Sequence, residues 1–234
     1  ILNNMKKWIL SALACLLALP MMAQLGEERN NLAVGVNLGM NLNTVSFQPQ
    51  IKQKTQNGME FGFTARYMSE KYFKMMCGIQ AEINYSQRGW KENIEDGSGN
   101  TYSRTMNYLE IPLLAHLAFG KDELEKGMKF FVNMGPQISY FLSEKEKMSE
   151  EWNPNYRPNG VNQQYGKMVE NKFDYGILGG LGVELSTKYG HFLLGGRYYY
   201  GWSDLWGSSK KDEFSRSGHS YIGIRLTYLY DIIK

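Results

Sequence analysis

Read with a period of two, the stretch from Tyr108 to Phe119 divides into two faces. Leu109, Ile111, Leu113, Ala115, Leu117 and Phe119 fall on one side, all apolar. Tyr108, Glu110, Pro112, Leu114, His116 and Ala118 fall on the other, which carries a carboxylate, an imidazole and a phenol. Such alternation is the mark of a strand between two different environments. A soluble sandwich strand puts its polar face toward water, whereas a membrane barrel strand puts its apolar face toward lipid and its polar face inward. The local pattern is common to both, so the rest of the chain decides.

The same pattern recurs in seven further segments, Leu32–Asn41, Glu60–Met68, Met76–Trp90, Met128–Leu142, Phe173–Ser186, His191–Tyr200 and Ser220–Tyr230. Three connections between them are short: Ser69–Lys74, Gly120–Gly127 and Thr187–Gly190. Four are long: Leu42–Met59, Lys91–Arg104, Ser143–Lys172 and Gly201–His219. Long and short alternate strictly, as in outer-membrane barrels with short periplasmic turns and long external loops. The pattern predicts an all-β fold, an eight-stranded antiparallel up-and-down transmembrane β-barrel with both termini in the periplasm. Trp90, Trp202 and Trp206 are expected in an aromatic girdle at the outer edge. Tyr67, Tyr72, Phe73, Phe119, Tyr189, Tyr228 and Tyr230 are expected in one at the inner edge.

The beginning of the chain agrees. Met5-Lys-Lys-Trp8 starts a basic region, Ile9–Leu19 is a short apolar run, and Ala23 offers a small residue for cleavage. This reads as a secretory signal peptide, too short for a confident membrane span. Residues 1–23 are therefore expected to be an upstream extension plus leader, and residues 24–234 a single barrel domain. Removing Lys6 and Lys7 takes the formal charge from +3 to +1, which argues against a nucleic-acid partner. Cys77 is the one cysteine of residues 24–234, so no internal disulfide frames them.

Several motifs together resemble the PorT-like outer-membrane β-barrel proteins of Bacteroides-type bacteria. They are Tyr108-Leu-Glu-Ile-Pro-Leu-Leu-Ala115, Glu82-Ile-Asn-Tyr-Ser-Gln-Arg-Gly89, Gly135-Pro136 with Tyr140, and Phe173-Asp-Tyr-Gly176 leading into Gly180-Leu-Gly-Val-Glu184. The resemblance spans essentially the whole mature chain and implies an integral outer-membrane location. The namesake's link to protein secretion makes a secretion-machinery or surface-protein partner an expectation, beside outer-membrane lipid itself.

With the apolar face outward, the interior collects Arg66, Glu82, Arg88, Glu110, Glu184, Arg197 and Arg225. An eight-stranded barrel is only wide enough for its own side chains, and buried charges need partners. These residues therefore read as a structural salt-bridged plug, with Glu110 as its expected centre. A narrow small-solute channel is the alternative. His116, His191 and His219 are too few and scattered for a metal site, and nothing calls for a cofactor. Ser217, His219 and Ser220 at the outer rim offer a weaker reading as a lipid-modifying enzyme; the expectation is no enzyme. In the longest loop, Trp152, Tyr156 and Arg157 are candidate recognition residues beside prolines and asparagines.

Overall fold

A computed structural model of the chain describes residues 26–95, 97–120, 126–153, 162–207 and 214–233. The expected leader, residues 1–23, lies outside them, as do Tyr156 and Arg157. Eight long strands form the fold: β1 (Glu27–Gln48), β3 (Gln56–Tyr72), β4 (Met75–Glu92), β5 (Tyr102–Gly120), β6 (Gly127–Met148), β7 (Phe173–Thr187), β8 (Gly190–Gly201) and β9 (Arg216–Ile233). A two-residue strand, β2 (Gln53–Lys54), pairs with the end of β4 through Gln53 and Glu92. Each long strand is antiparallel to its neighbours in sequence, and β1 pairs with β9 from Leu32–Ile233 to Gln48–Arg216. That last ladder closes the ring, so the long strands leave no sheet edge around the barrel.

Every segment with alternating pattern lies within one of these strands, and the alternating faces sort as expected. Val36, Met40, Phe63 and Leu181 are 52%, 63%, 70% and 68% exposed on the outside, while Tyr108, Glu110 and His116 are fully buried inside. On β1 the exposed apolar belt runs from Val34 to Leu42 and gives way to Thr44, Ser46 and Gln48. Nine residues rise roughly 30 Å along the strand, and a tilt of about 40° reduces this to the roughly 25 Å band of an outer-membrane barrel.

The strands run further than expected at the end that bears the long connections. β1 continues to Gln48, β5 begins at Tyr102 and β6 continues to Met148, so parts of the expected loops are strand. The alternation weakens there because both faces of those extensions are polar or packed, leaving no apolar belt to mark them. Pro112 interrupts the ladder with β4, whose register passes from Ala81–Leu113 to Asn84–Glu110. A proline has no N–H to give a neighbouring strand.

Candidate functional site

The interior is layered. Toward the short turns, Ala33, Met68, Met76, Ala118, Phe131, Leu193 and Leu229 form an apolar cluster. Close to it, Arg66 grips Glu184 with two nitrogens at 2.6 and 3.3 Å, and Lys129 stands 3.4 Å from the same carboxylate. His191 bridges Glu184 (2.8 Å from Nδ1) and Asp231 (2.9 Å from Nε2). His116 shares a 2.7 Å hydrogen bond with the side-chain oxygen of Asn133.

Midway up the barrel, Glu82 accepts from Arg197 (3.1 and 3.2 Å), Gln80 (2.6 Å) and Asn84 (2.9 Å), and is paired with Arg225 as well. Glu60 completes this group beside Arg197 and Arg225. Higher again, Arg88 donates to Glu110 (2.7 Å), Asp174 (2.5 Å) and Ser139 (2.8 Å). Its guanidinium lies 4.8, 4.6 and 5.3 Å from the ring centres of Tyr108, Tyr199 and Tyr221. Arg suits such a place, since its planar fork reaches two carboxylates while its faces stack on aromatic rings.

The seven lumen residues expected from the sequence are therefore all buried, but they do not form one network centred on Glu110. They fall into three groups, held by Glu184, Glu82 and Arg88. Glu110 serves the third alone, because side chains from neighbouring strands meet only when they lie at the same height. Sequence reasoning missed Glu60, Lys129 and Asp174, each of which sits at an end of its alternating segment. Among the described residues, Arg66, Arg88, Arg104, Lys129, Arg197 and Arg225 are buried cations, and Glu60, Glu82, Glu92, Glu110, Asp174 and Glu184 are buried carboxylates. Six of each sign cancel, as buried charges in a narrow lumen must.

Above the third group the barrel is closed by a second apolar core. Phe47, Trp90, Tyr102, Met106, Tyr108, Leu205, Trp206 and Phe214 pack there with Val45, Ile51 and Val169. Trp90 and Trp206 are thus not girdle residues: both are buried, their ring centres 6.2 Å apart and nearly perpendicular. Only Trp202 of the three is exposed, at 58%. The sequence cannot separate an aromatic residue at a rim from one folded over a mouth, since both occupy a loop end.

The longest connection is tied to this cap. Arg104 donates to Glu144 (2.7 Å) and to the backbone carbonyls of Gln164 (3.1 Å) and Lys167, and pairs with Glu146 at 3.1 Å. Glu92 accepts from Gln164 (3.0 Å) and the Tyr165 hydroxyl (2.7 Å). Glu144 and Glu146 turn toward Arg104 because the register slips where Asn107–Ser143 is followed by Tyr108–Phe141, and a one-residue slip exchanges the faces of a strand. Burial and a 2.7 Å hydrogen bond to Glu146 push the phenol of Tyr102, beyond the apolar belt, far above its ordinary range. Trp152 also belongs to the cap: it is half-buried, stacked 5.3 Å from Tyr102 and edge-on to Tyr165 at 4.9 Å.

The serine–histidine pair at the rim is likewise displaced. His219 and Ser217 are buried inside, where His219 Nε2 meets the Tyr108 hydroxyl at 3.1 Å, and Ser220 meets Thr44 at 3.0 Å. Ser217 and His219 thus point into the barrel, while Ser220 stays on the outer face beside Thr44, apart from the histidine. Cys77 is half-exposed, opposite Leu117 on β5. No group of three potential metal ligands occurs among the described residues.

Gly176, Gly180 and Gly182 of β7 lie close against neighbouring backbone. A Cβ at Gly182 would lie 2.3 Å from the Leu194 carbonyl oxygen and 2.7 Å from the Phe131 ring. Gly182→Val is therefore expected to lower stability by about 1–3 kcal/mol through overpacking, read from urea unfolding in detergent. An unchanged midpoint would show that Phe131 has room to move.

A closed ring of eight strands, apolar outside and charged within, defines an integral membrane barrel. Residues 22–207 match the outer membrane protein beta-barrel domain, and the chain belongs to that family, whose members reside in the outer membrane. Comparison with curated proteins gives no match. Similar solved structures include OprG of Pseudomonas aeruginosa, 10% identical over 88% of this chain and 98% of that one, with a TM-score of 0.45. Neisserial surface protein A is 10% identical over 85% and 97%, at 0.40, and Ail of Yersinia pestis is 11% identical over 86% and 100%, at 0.36.

Proposed function

We propose that this protein is a sealed, non-enzymatic outer-membrane barrel that presents a folded cap of loops at the cell surface for a protein partner, with both termini in the periplasm. The observation that carries the reading is the cap itself. Arg104 and Glu92 hold residues of the longest connection over an apolar core, which is more order than a solvated loop needs. Strict alternation of short and long connections supports the orientation. The PorT-like motifs support a role accessory to protein secretion, so the expected partner is an export component or a secreted surface protein.

The lumen argues against the narrow channel. Apolar clusters fill the lumen toward each end among the charged groups, and the small interior cavity beside Gln80, Asn133, Arg197 and Arg225 has a volume of about 20 Å³, room for about one water. The burial of His219 argues against lipid-modifying chemistry.

The test is a tagged pull-down from mild-detergent outer membranes, quantified by mass spectrometry against an untagged strain. Stoichiometric recovery of an export or surface protein, lost in Arg104→Ala, is the expected result. Recovery of the barrel alone, in a detergent that preserves known complexes, would overturn the reading.

A further inference from the structure

Beside the cap, on the outside of the barrel, a cleft of about 470 Å³ lies where β7 begins and β8 ends. Its walls include Glu170, Asn171, Lys172, Tyr175, Trp202 and Asp204. The backbone that carries them is held in place. Trp202 N–H donates to the Tyr175 carbonyl at 2.9 Å, and Tyr175 N–H donates to the Ser203 hydroxyl at 3.2 Å. Asn171 Nδ2 donates to the carbonyls of Asp204 (2.8 Å) and Trp206 (3.2 Å), tying the two connections together. One Asp204 oxygen accepts from Ser217 N–H, and among the described residues the second accepts no hydrogen bond.

The chemistry of this lining is selective. Trp202, Phe173 and Tyr175 are 58%, 65% and 53% exposed, so three large aromatic side chains stand open at the cleft among the described residues. Around them are carboxylate and amide acceptors and the Lys172 ammonium; Glu170 is paired with Lys167 at 3.4 Å and accepts from Gly207 N–H at 3.0 Å, so Asp204 and Lys172 balance. An anionic headgroup finds no net attraction in this balanced lining, and a purely apolar chain strands the polar groups. A guest with an apolar C–H face and several hydroxyls satisfies both halves. Its ring lies on the indole, its hydroxyls donate to Asp204 and Asn171, and Lys172 donates to a ring hydroxyl or oxygen.

We infer that this cleft binds a neutral pyranose saccharide, stacked on Trp202 and held by Asp204 and Asn171. The sugar could be carried by a glycolipid in the same leaflet or belong to a free glycan, and the cleft stands beside both the apolar belt and solvent. The inference rests on the proposed function only in taking the long-loop end as the outer face.

The experiment presents purified full-length protein in detergent to an array of neutral hexose and N-acetylhexosamine oligosaccharides with sialylated ones beside them. In parallel, nanodiscs containing digalactosyldiacylglycerol are assayed for retained glycolipid. Binding in either arm supports the inference: the array points to a free glycan, and the nanodiscs alone point to a lipid-borne sugar. Trp202→Ala is expected to weaken binding about tenfold, the loss of one aromatic contact. Asp204→Asn is expected to weaken it while retaining an oxygen for Ser217, and Tyr230→Ala on the opposite rim is expected to change nothing. No binding in either arm, sialylated glycans bound as well as neutral ones, or binding that survives Trp202→Ala would overturn the inference. These readouts need no protein partner, so their failure is distinct from that of the pull-down.

Discussion

Glu184→Ala is expected to destabilise the barrel by about 3–5 kcal/mol, the effect of removing one side of a buried ion pair. Glu184 is fully buried and answers Arg66, Lys129 and His191 together. Its loss leaves Arg66 and Lys129 charged in a space that water does not fill. Urea unfolding from detergent micelles, followed by tryptophan fluorescence and by heat-dependent mobility on gels, reads the change. The double variant Glu184→Met with Arg66→Met is expected to recover part of it, because replacing both partners by apolar groups removes charges of both signs. A single variant as stable as the wild type would mean that solvent reaches this layer.

The second large effect is expected at the cap. Trp206 is buried against Phe47 and Phe214, with ring centres 5.8 and 5.1 Å away, and its indole N–H donates to the Met168 carbonyl at 3.0 Å. Trp206→Ala is expected to take about 3–5 kcal/mol from the packing that holds the cap, the range for emptying a buried tryptophan site. The barrel ladders do not depend on this ring, so the loss is local. Amide exchange and limited proteolysis across residues 162–172 are expected to accelerate while the heat-modifiable shift of the barrel remains. Unchanged protection there would show that Arg104 and Glu92 alone hold the connection.

The residues explain what the sequence could and could not reveal. Alternation along Tyr108–Phe119 marks a strand and its two faces, because lipid on one side and side chains on the other impose opposite demands at every step. The alternating lengths of the connections then favour a membrane barrel over a sandwich. Burial of Arg66, Glu82, Arg88, Glu110, Glu184, Arg197 and Arg225 follows from parity alone. Which charges meet depends on strand stagger, which parity does not encode, so the three groups and the contributions of Glu60, Lys129 and Asp174 were not visible. The slip at Tyr108–Phe141 exchanges faces and hides Glu144 and Glu146 from a period-two reading. Trp90 and Trp206 match a girdle by position, and only the path of the chain over the mouth places them inside. The cleft at Trp202 escapes for the same reason, since Asn171 and Asp204 come from different connections.

The filled lumen beneath the folded cap leaves no continuous path for solutes. Single-channel recording of the full-length protein in planar bilayers tests it most directly. No conductance above lipid background is expected of the wild-type protein across the voltage range the bilayer tolerates. Discrete, sustained steps that depend on protein insertion would contradict it and restore a solute path as the role of the charged interior.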